Sequence, residues 1–191
     1  MADFVISDNH FAHSNIILYC NRPFSSVEEM DSVMIDKWNS VVSPTDRVFH
    51  LGDFCFWKNM TSDSVRNLIS TLNGEKHLIL GNHDSRSKLE GLGFTTISNY
   101  HIINMTGFDT ALLFHYPVYD EADLNRLQFE KKDSYLSRYR QLPKLRSWKY
   151  VIHGHIHNNS EVGYDNHFNA SVECIDYTPI KVEEICMRLG N

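Results

Sequence analysis

The chain alternates between short apolar runs and longer stretches in which apolar residues recur every three or four positions. Phe4-Val5-Ile6, Arg47 to Leu51, Lys76 to Leu80 and Tyr150-Val151-Ile152 are runs of the first kind. Each is too short for a helix and is closed by polar or glycine residues, so each predicts a buried strand. Two stretches are of the second kind. Val27, Met30, Met34 and Trp38 share one helical face, as do Val65, Leu68, Ile69 and Leu72. Ser26-Val27-Glu28-Glu29 reads as a capping box for the first helix, and Asn73-Gly74 stops the second, which spans about Ser62 to Leu72. His13 to Cys20 predicts a shorter helix, broken by Arg22-Pro23. Residues 94 to 114 alternate as hairpin strands do, with a bend near Thr106-Gly107 or Phe108-Asp109. Val182 to Leu189 fits strand or helix; the spacing of Val182, Ile185 and Leu189 favours helix. The first half therefore reads as βαβαβ and the second as mostly β. With no repeat and no linker, this predicts one α/β domain with two packed sheets.

The polar residues that follow these runs carry the chemical signal. Ile6 leads to Asp8 and His10, Leu51 to Asp53, and Leu80 to Asn82 and His83. Later, Phe114 leads to His115 and Ile152 to His153-Gly154-His155-Ile156-His157. Ligands of α/β sheets bind beyond the carboxyl ends of the strands, so these side chains are expected at one rim. Asp8 and His10 are two apart, as are His155 and His157, and side chains two apart in extended chain point the same way. One such pair is no more than the polar face of a strand. Several crowded imidazoles repel when charged and need partners when neutral and buried; a metal cation satisfies them all. The donors are Asp, His and Asn without cysteine, which suits Mn, Fe, Zn or Ni. They are too many for one tetrahedral ion, and two ions sharing a carboxylate would use them.

Composition narrows the class. The chain has 191 residues, 42% of them apolar, enough for one domain with a core of its own. No apolar run is long enough to span a membrane, and Met1-Ala2-Asp3-Phe4 does not begin a signal peptide; a cytoplasmic setting is expected. Cys20, Cys55, Cys174 and Cys186 form no CxxC pair and read as free, mostly buried thiols. A net charge of −6 argues against general nucleic-acid binding. Against it stands the stretch from Arg126 to Lys149, where Arg126, Lys131, Lys132, Arg138, Arg140, Lys144, Arg146 and Lys149 face only Glu130 and Asp133. With Phe129, Tyr135, Tyr139 and Trp148 interleaved, this reads as a basic segment inserted at about 120–148. It is either a solvated cover or a collector of anionic substrate.

In order, D-x-H, G-D, G-N-H-D, H and G-H-x-H resemble the motifs of the calcineurin-like metallophosphoesterases. The stretch SDNHFAHSNIILYCNRPF resembles a small bacterial and phage branch of that family. The resemblance spans Asp8 to His157 and implies a four-layer α/β/β/α sandwich with two mixed sheets and two metals at the strand ends. It implies that Asp8, His10, Asp53 and His157 hold one divalent ion. Asp53, Asn82, His115 and His155 would hold the second, with Asp53 bridging. His83 corresponds to the histidine that works on substrate without binding metal. Water between two cations ionises near neutral pH, so the expected reaction is hydrolysis of a phosphate ester by a metal-bridging hydroxide. Asn82 would help to offset phosphoryl charge, and His83 would protonate the leaving oxygen. Many relatives place another acidic residue after the second motif to orient the catalytic histidine; here Phe54-Cys55-Phe56-Trp57 follows, and Asp84 or a carbonyl is left for that task.

Further residues carry two readings each. His13 either touches substrate phosphate or caps a helix. Arg22 either binds substrate phosphate, as its planar fork allows, or bonds a loop carbonyl. His153 is expected to support or pack, and His50 to be structural. The expected substrate is a small phosphodiester or a nucleotide. Phosphomonoesterase or nuclease activity at the same site is the alternative. From another class, a non-catalytic scaffold is possible on this fold, as the retromer scaffold subunit resembles it, but scaffolds usually show damaged motifs. A metallo-β-lactamase-type HxHxDH is absent, since Asn158-Asn159 follows His157. A TIM barrel needs about 250 residues. Oligomeric state is not readable.

Overall fold

A computed structural model describes residues 1–104, 110–118, 140–142, 148–159 and 165–189. Nearly all of the basic segment expected at about 120–148 lies outside the described residues. Among the described residues, nine strands form two sheets. β1 (Asp3–Ile6), β2 (Arg47–His50), β3 (Glu75–Ile79) and β4 (Thr96–Ser98) run parallel in that order, and β9 (Ile180–Lys181) pairs antiparallel with β1. The second sheet orders β5 (Tyr100–Asn104), β6 (Thr110–Phe114), β7 (Tyr150–His153) and β8 (His167–Asn169). There β5 and β6 are antiparallel and the other pairs parallel. Both sheets are therefore mixed, as the family resemblance implied.

The expected hairpin over residues 94–114 is only half right. β5 and β6 do pair, from Tyr100 opposite Phe114 to Asn104 opposite Thr110. Thr96–Ser98 instead leaves for the first sheet, parallel to β3. Alternation reports a pleated, half-buried strand but not which sheet edge will receive it.

The helices are α1 (Ser14–Tyr19), α2 (Val27–Val41), α3 (Ser62–Thr71), α4 (Arg86–Leu89) and, at the end of the described chain, α5 (Val182–Leu189). α2 buries Met30, Met34 and Trp38, and α3 buries Val65 and Ile69, as their spacing required. Ser26 caps α2 by accepting from the Glu29 amide at 3.2 Å, but Glu29 turns its carboxylate to Ser25 rather than closing a capping box. The reciprocal box is at Thr61 and Ser64, on α3.

One large core joins the helices, the first sheet and the inner face of the second, including Ala111, Leu113 and Ile152. The intervening Leu112, Phe114 and Val151 face the other way, into a second cluster with Tyr116, Val118 and Leu142. This two-residue alternation, buried on both sides, is what a central strand needs. The sheets meet beyond β1. Ser7 donates to the Ala170 carbonyl at 2.9 Å and accepts from Val172 at 3.0 Å. That junction brings the carboxyl ends of both sheets to one place. No helix among the described residues is long and apolar enough to cross a membrane. The cysteines are free; Cys174 is exposed, unlike the other three.

Candidate metal centre

Every motif residue follows the C-terminal end of a strand, and the segments leaving those strands hold one another. After β1, Asp8, His10 and Phe11 donate to the carbonyls of Gly52, Asp53 and Phe54 at 2.9, 3.0 and 3.0 Å. Gly154 donates to the His115 carbonyl at 3.0 Å, and the His155 amide to Asp8 Oδ2 at 2.9 Å. The turns needed for this are tight. Asp8, His10, Asp53, His155 and His157 all have positive φ, between 51° and 71°. Left-handed backbone costs a non-glycine residue of order 1–3 kcal/mol and persists only where its surroundings over-determine it. Asp, Asn and His tolerate it best. Two glycines are required by contact alone: a Cβ on Gly81 would collide with the Asp53 side chain and amide, and one on Gly154 with Ser7 Oγ and Asp8 Oδ2.

Among the described residues, this brings two groups of strand-end donors together, the atoms of each within 4.8 Å of one another: Asp8, His10 and His157, and Asp53, His115 and His155. Asp53 Oδ2 lies between the groups, 3.7 Å from His10 Nε2 and 3.6 Å from His115 Nε2. Asn82 Oδ1 is 2.9 Å from His115 Nε2. The family resemblance implied two sets that also place Asp53 in the first and Asn82 in the second.

Several observations test whether cations fit. Asp8 Oδ1 and His10 Nε2 are buried without any hydrogen-bond partner. His115 Nδ1 meets the Leu51 carbonyl at 2.8 Å, so Nδ1 carries the proton and Nε2 turns a lone pair toward an amide oxygen. Asp53 is pushed well above the ordinary carboxylate range by burial and by the charges of Asp84 and Asp8. Burial, opposed by Asp8, holds the His10 imidazole down to about 2. Burial would also raise Asp8, but the charges of His115, His157 and His10 carry it below its usual value. The neutral buried imidazole of His10 beside crowded carboxylates is what a divalent ion relieves. The donor set fits the group.

Flanking residues fall into place around these atoms. His83 is exposed, its ring edge-on to His10 at a centroid distance of 5.6 Å. Its amide donates to Asp53 Oδ1 at 2.8 Å. Asp84 does not orient that ring through a hydrogen bond. Its buried carboxylate accepts from the amides of Asp53 (2.7 Å), Gly81 (2.8 Å) and Phe54 (3.2 Å), stapling two strand-end turns together. His13 stacks on Phe56 at 4.1 Å and stands 5.4 Å from the His10 ring.

The substrate contact expected of Arg22 is contradicted. Its side chain is fully buried, and its guanidinium is committed to Glu173, the Asp8 and Asn9 carbonyls and the Met30 sulfur. His50 is structural as expected. The Gly52 amide donates to its Nδ1, so Nε2–H goes to Asn9 Oδ1 at 2.9 Å, and burial lowers its imidazole to about 3. His153 lies behind the site, with Nδ1 on the Gly154 carbonyl at 2.9 Å. Sequence reasoning missed Glu173, which meets His157 Nδ1 at 3.0 Å, and Ser171, which donates to Asp8 Oδ2 at 3.1 Å. Neither lies in a motif, and nothing local marks them.

This fold and this rim of donors define a class, and comparison identifies it. Residues 1–169 match the calcineurin-like phosphoesterase superfamily domain, and the chain belongs to that family. It is similar to an uncharacterised protein of Methanocaldococcus jannaschii, 36% identical over 188 residues that cover 95% of this chain and 88% of that one. It is also similar to the gene 66 protein of Mycobacterium phage L5, 28% identical over 158 residues, 80% of this chain and 75% of that protein. Among solved structures, a protein of unknown function from Aquifex aeolicus superposes with a TM-score of 0.72 at 31% identity, covering 97% of this chain and 98% of that one. Family membership makes the chain a metal-dependent phosphoesterase in the general sense, with divalent ions as cofactors and phosphate esters as substrates.

Proposed function

We propose that the chain hydrolyses a small phosphodiester or nucleotide at a binuclear centre. The observation that carries this reading is the pair of donor groups joined through Asp53. Asp8, His10, Asp53 and His157 would hold one ion, and Asp53, Asn82, His115 and His155 the other. The sulfur-free donor set suits Mn, Fe, Zn or Ni. Two such ions, when bound, supply an ionised water near neutral pH and offset charge on the phosphoryl oxygens.

The protein's own groups do the rest. His83, pinned through its amide to Asp53, stands at the open side of the site, where its imidazole holds the proton that the leaving oxygen takes. Asn82, its Oδ1 2.9 Å from His115 Nε2, would help to offset phosphoryl charge. His13, Phe56 and Tyr19 extend the rim as a run of rings. Tyr19 is 73% exposed, with its ring 6.3 Å from that of His13, and the Lys58 ammonium lies 5.9 Å from the Phe56 ring. A planar leaving group such as a nucleobase would stack there, which supports a nucleotide-type ester and keeps His13 as a substrate contact. Four free thiols suit a reducing cytoplasm.

The test is a panel of aryl phosphate monoesters, diesters and nucleotides, run with Mn²⁺, Ni²⁺ and Zn²⁺. Diesters are expected to turn over fastest. His83→Ala is expected to lower kcat by about 10²–10⁴-fold while metal content, read by elemental analysis, stays the same. Faster turnover of monoesters or of nucleic acid would move the substrate class without moving the site. Absence of turnover on every ester, with partner binding indifferent to Asp53→Ala, would make the chain a scaffold.

A further inference from the structure

Arg22 and Glu173 form a buried pair outside the two donor groups, and Glu173 reaches the first group through His157. Glu173 Oε1 accepts from Arg22 Nε at 2.9 Å and Nη2 at 2.7 Å, and meets His157 Nδ1 at 3.0 Å. The other edge of the guanidinium donates to the Asp8 carbonyl at 2.7 Å and the Asn9 carbonyl at 2.8 Å. The two charged side chains are 0% and 4% exposed.

We infer that the Arg22–Glu173 pair is a positioning device that pre-assembles Asp8, His10 and His157 as one cation site. The inference rests on the binuclear reading above. A carboxylate can only accept, so His157 points an Nδ1 proton at Glu173, and Nε2 is the nitrogen turned to give its lone pair to an ion. Arg22 then ties that carboxylate to the turn bearing Asp8 and His10. This turn is left-handed at Asp8 (φ 60°), His10 (φ 52°) and Ala12 (φ 61°). The Asp8 and Asn9 carbonyls of this turn take their donors from the guanidinium. A planar fork serves a carboxylate and two carbonyls at once; an ammonium cannot.

The same region holds a competing arrangement. Cys20, His157 and Glu173 also have donor atoms within 4.8 Å of one another. A cation there would sit against the Arg22 guanidinium, 2.7 Å from the carboxylate it needs. Charge therefore favours orientation by hydrogen bond over a third metal.

The experiment is titration of metal-free protein with Mn²⁺ by calorimetry, with stoichiometry from elemental analysis. Wild type is expected to bind two ions. Glu173→Gln, which keeps shape but not charge, and Arg22→Lys are expected to weaken one of them by about 10–100-fold and leave the other unchanged. Because loss of one buried charge strands its partner, the neutral double variant Arg22→Met/Glu173→Gln serves as the folding control. It should melt near wild type and still bind one ion weakly. Cys20→Ser should bind both ions as wild type does. Two equal, unweakened ions in Glu173→Gln and the double variant would overturn the inference and leave the binuclear reading standing. Loss of an ion in Cys20→Ser to the same extent as in Glu173→Gln would make Glu173 a ligand and overturn it too. Wild type that binds no ion would remove both.

Discussion

At Gly154 the fit of a single residue can be read off the site. It lies between His153 and His155, and a methyl group there would enter the space of Ser7 Oγ and Asp8 Oδ2. Gly154→Ala must push apart the ends of β1 and β7. Overpacking of this kind costs about 1–3 kcal/mol, and here it also displaces Asp8. The expected outcome is a lower melting temperature and loss of one Mn²⁺ in calorimetry. A variant that binds two ions as wild type does would show that the turns have slack. The donors themselves were legible because each follows a strand. Asp84 was legible as a motif residue but not in its role, since nothing local says that its carboxylate will collect three amides. Arg22 was left with two readings, of which the structure takes the loop carbonyl, for a related reason: a guanidinium looks the same in sequence whether it faces substrate or a buried glutamate.

At the scale of elements, the starts of β1 and β2 are tied by one carboxylate. Asp46 accepts from the Ala2 amide at 2.7 Å and the Ser43 amide at 2.9 Å. These backbone hydrogen bonds hold its carboxyl below the usual range. A lowered folded-state pKa adds stability that is fully present above the unfolded value, near 3.9. That contribution is lost as pH falls through the folded value. Asp46→Asn should therefore melt below wild type at pH 6, and the gap should close below about pH 4. A gap that ignores pH would mean the carboxylate acts by shape alone. α2 and α3 were legible because their apolar stripes repeat every three to four residues. The sheet assignment of Thr96–Ser98 was not, because a strand of three residues has no pattern that distinguishes parallel from antiparallel partners.

For the whole molecule, the centre joins segments from both sheets, so ions bound there should hold the fold together. Ligand at about 100 times its Kd adds about 2.7 kcal/mol. In a chain of this size that raises Tm by about 5–10 °C. Mn²⁺ added to chelated protein is expected to produce that rise, and Asp53→Asn, which removes the shared carboxylate, to abolish it. Equal melting with and without metal in wild type would place the donors in a site too loose to couple to the fold.

Local order was written in the chain: which stretches are strands, which are helices, and that polar donors follow the strands, because these depend on neighbours two to four residues apart. The partners of those donors were decided only by folding. Arg22 and Glu173 are 151 positions apart, and Asp8 receives the amide of a residue 147 positions away. No periodicity carries information over that distance. Such contacts exist because a buried charge or amide must find a complement, and which complement it meets is set by how two sheets close on one another.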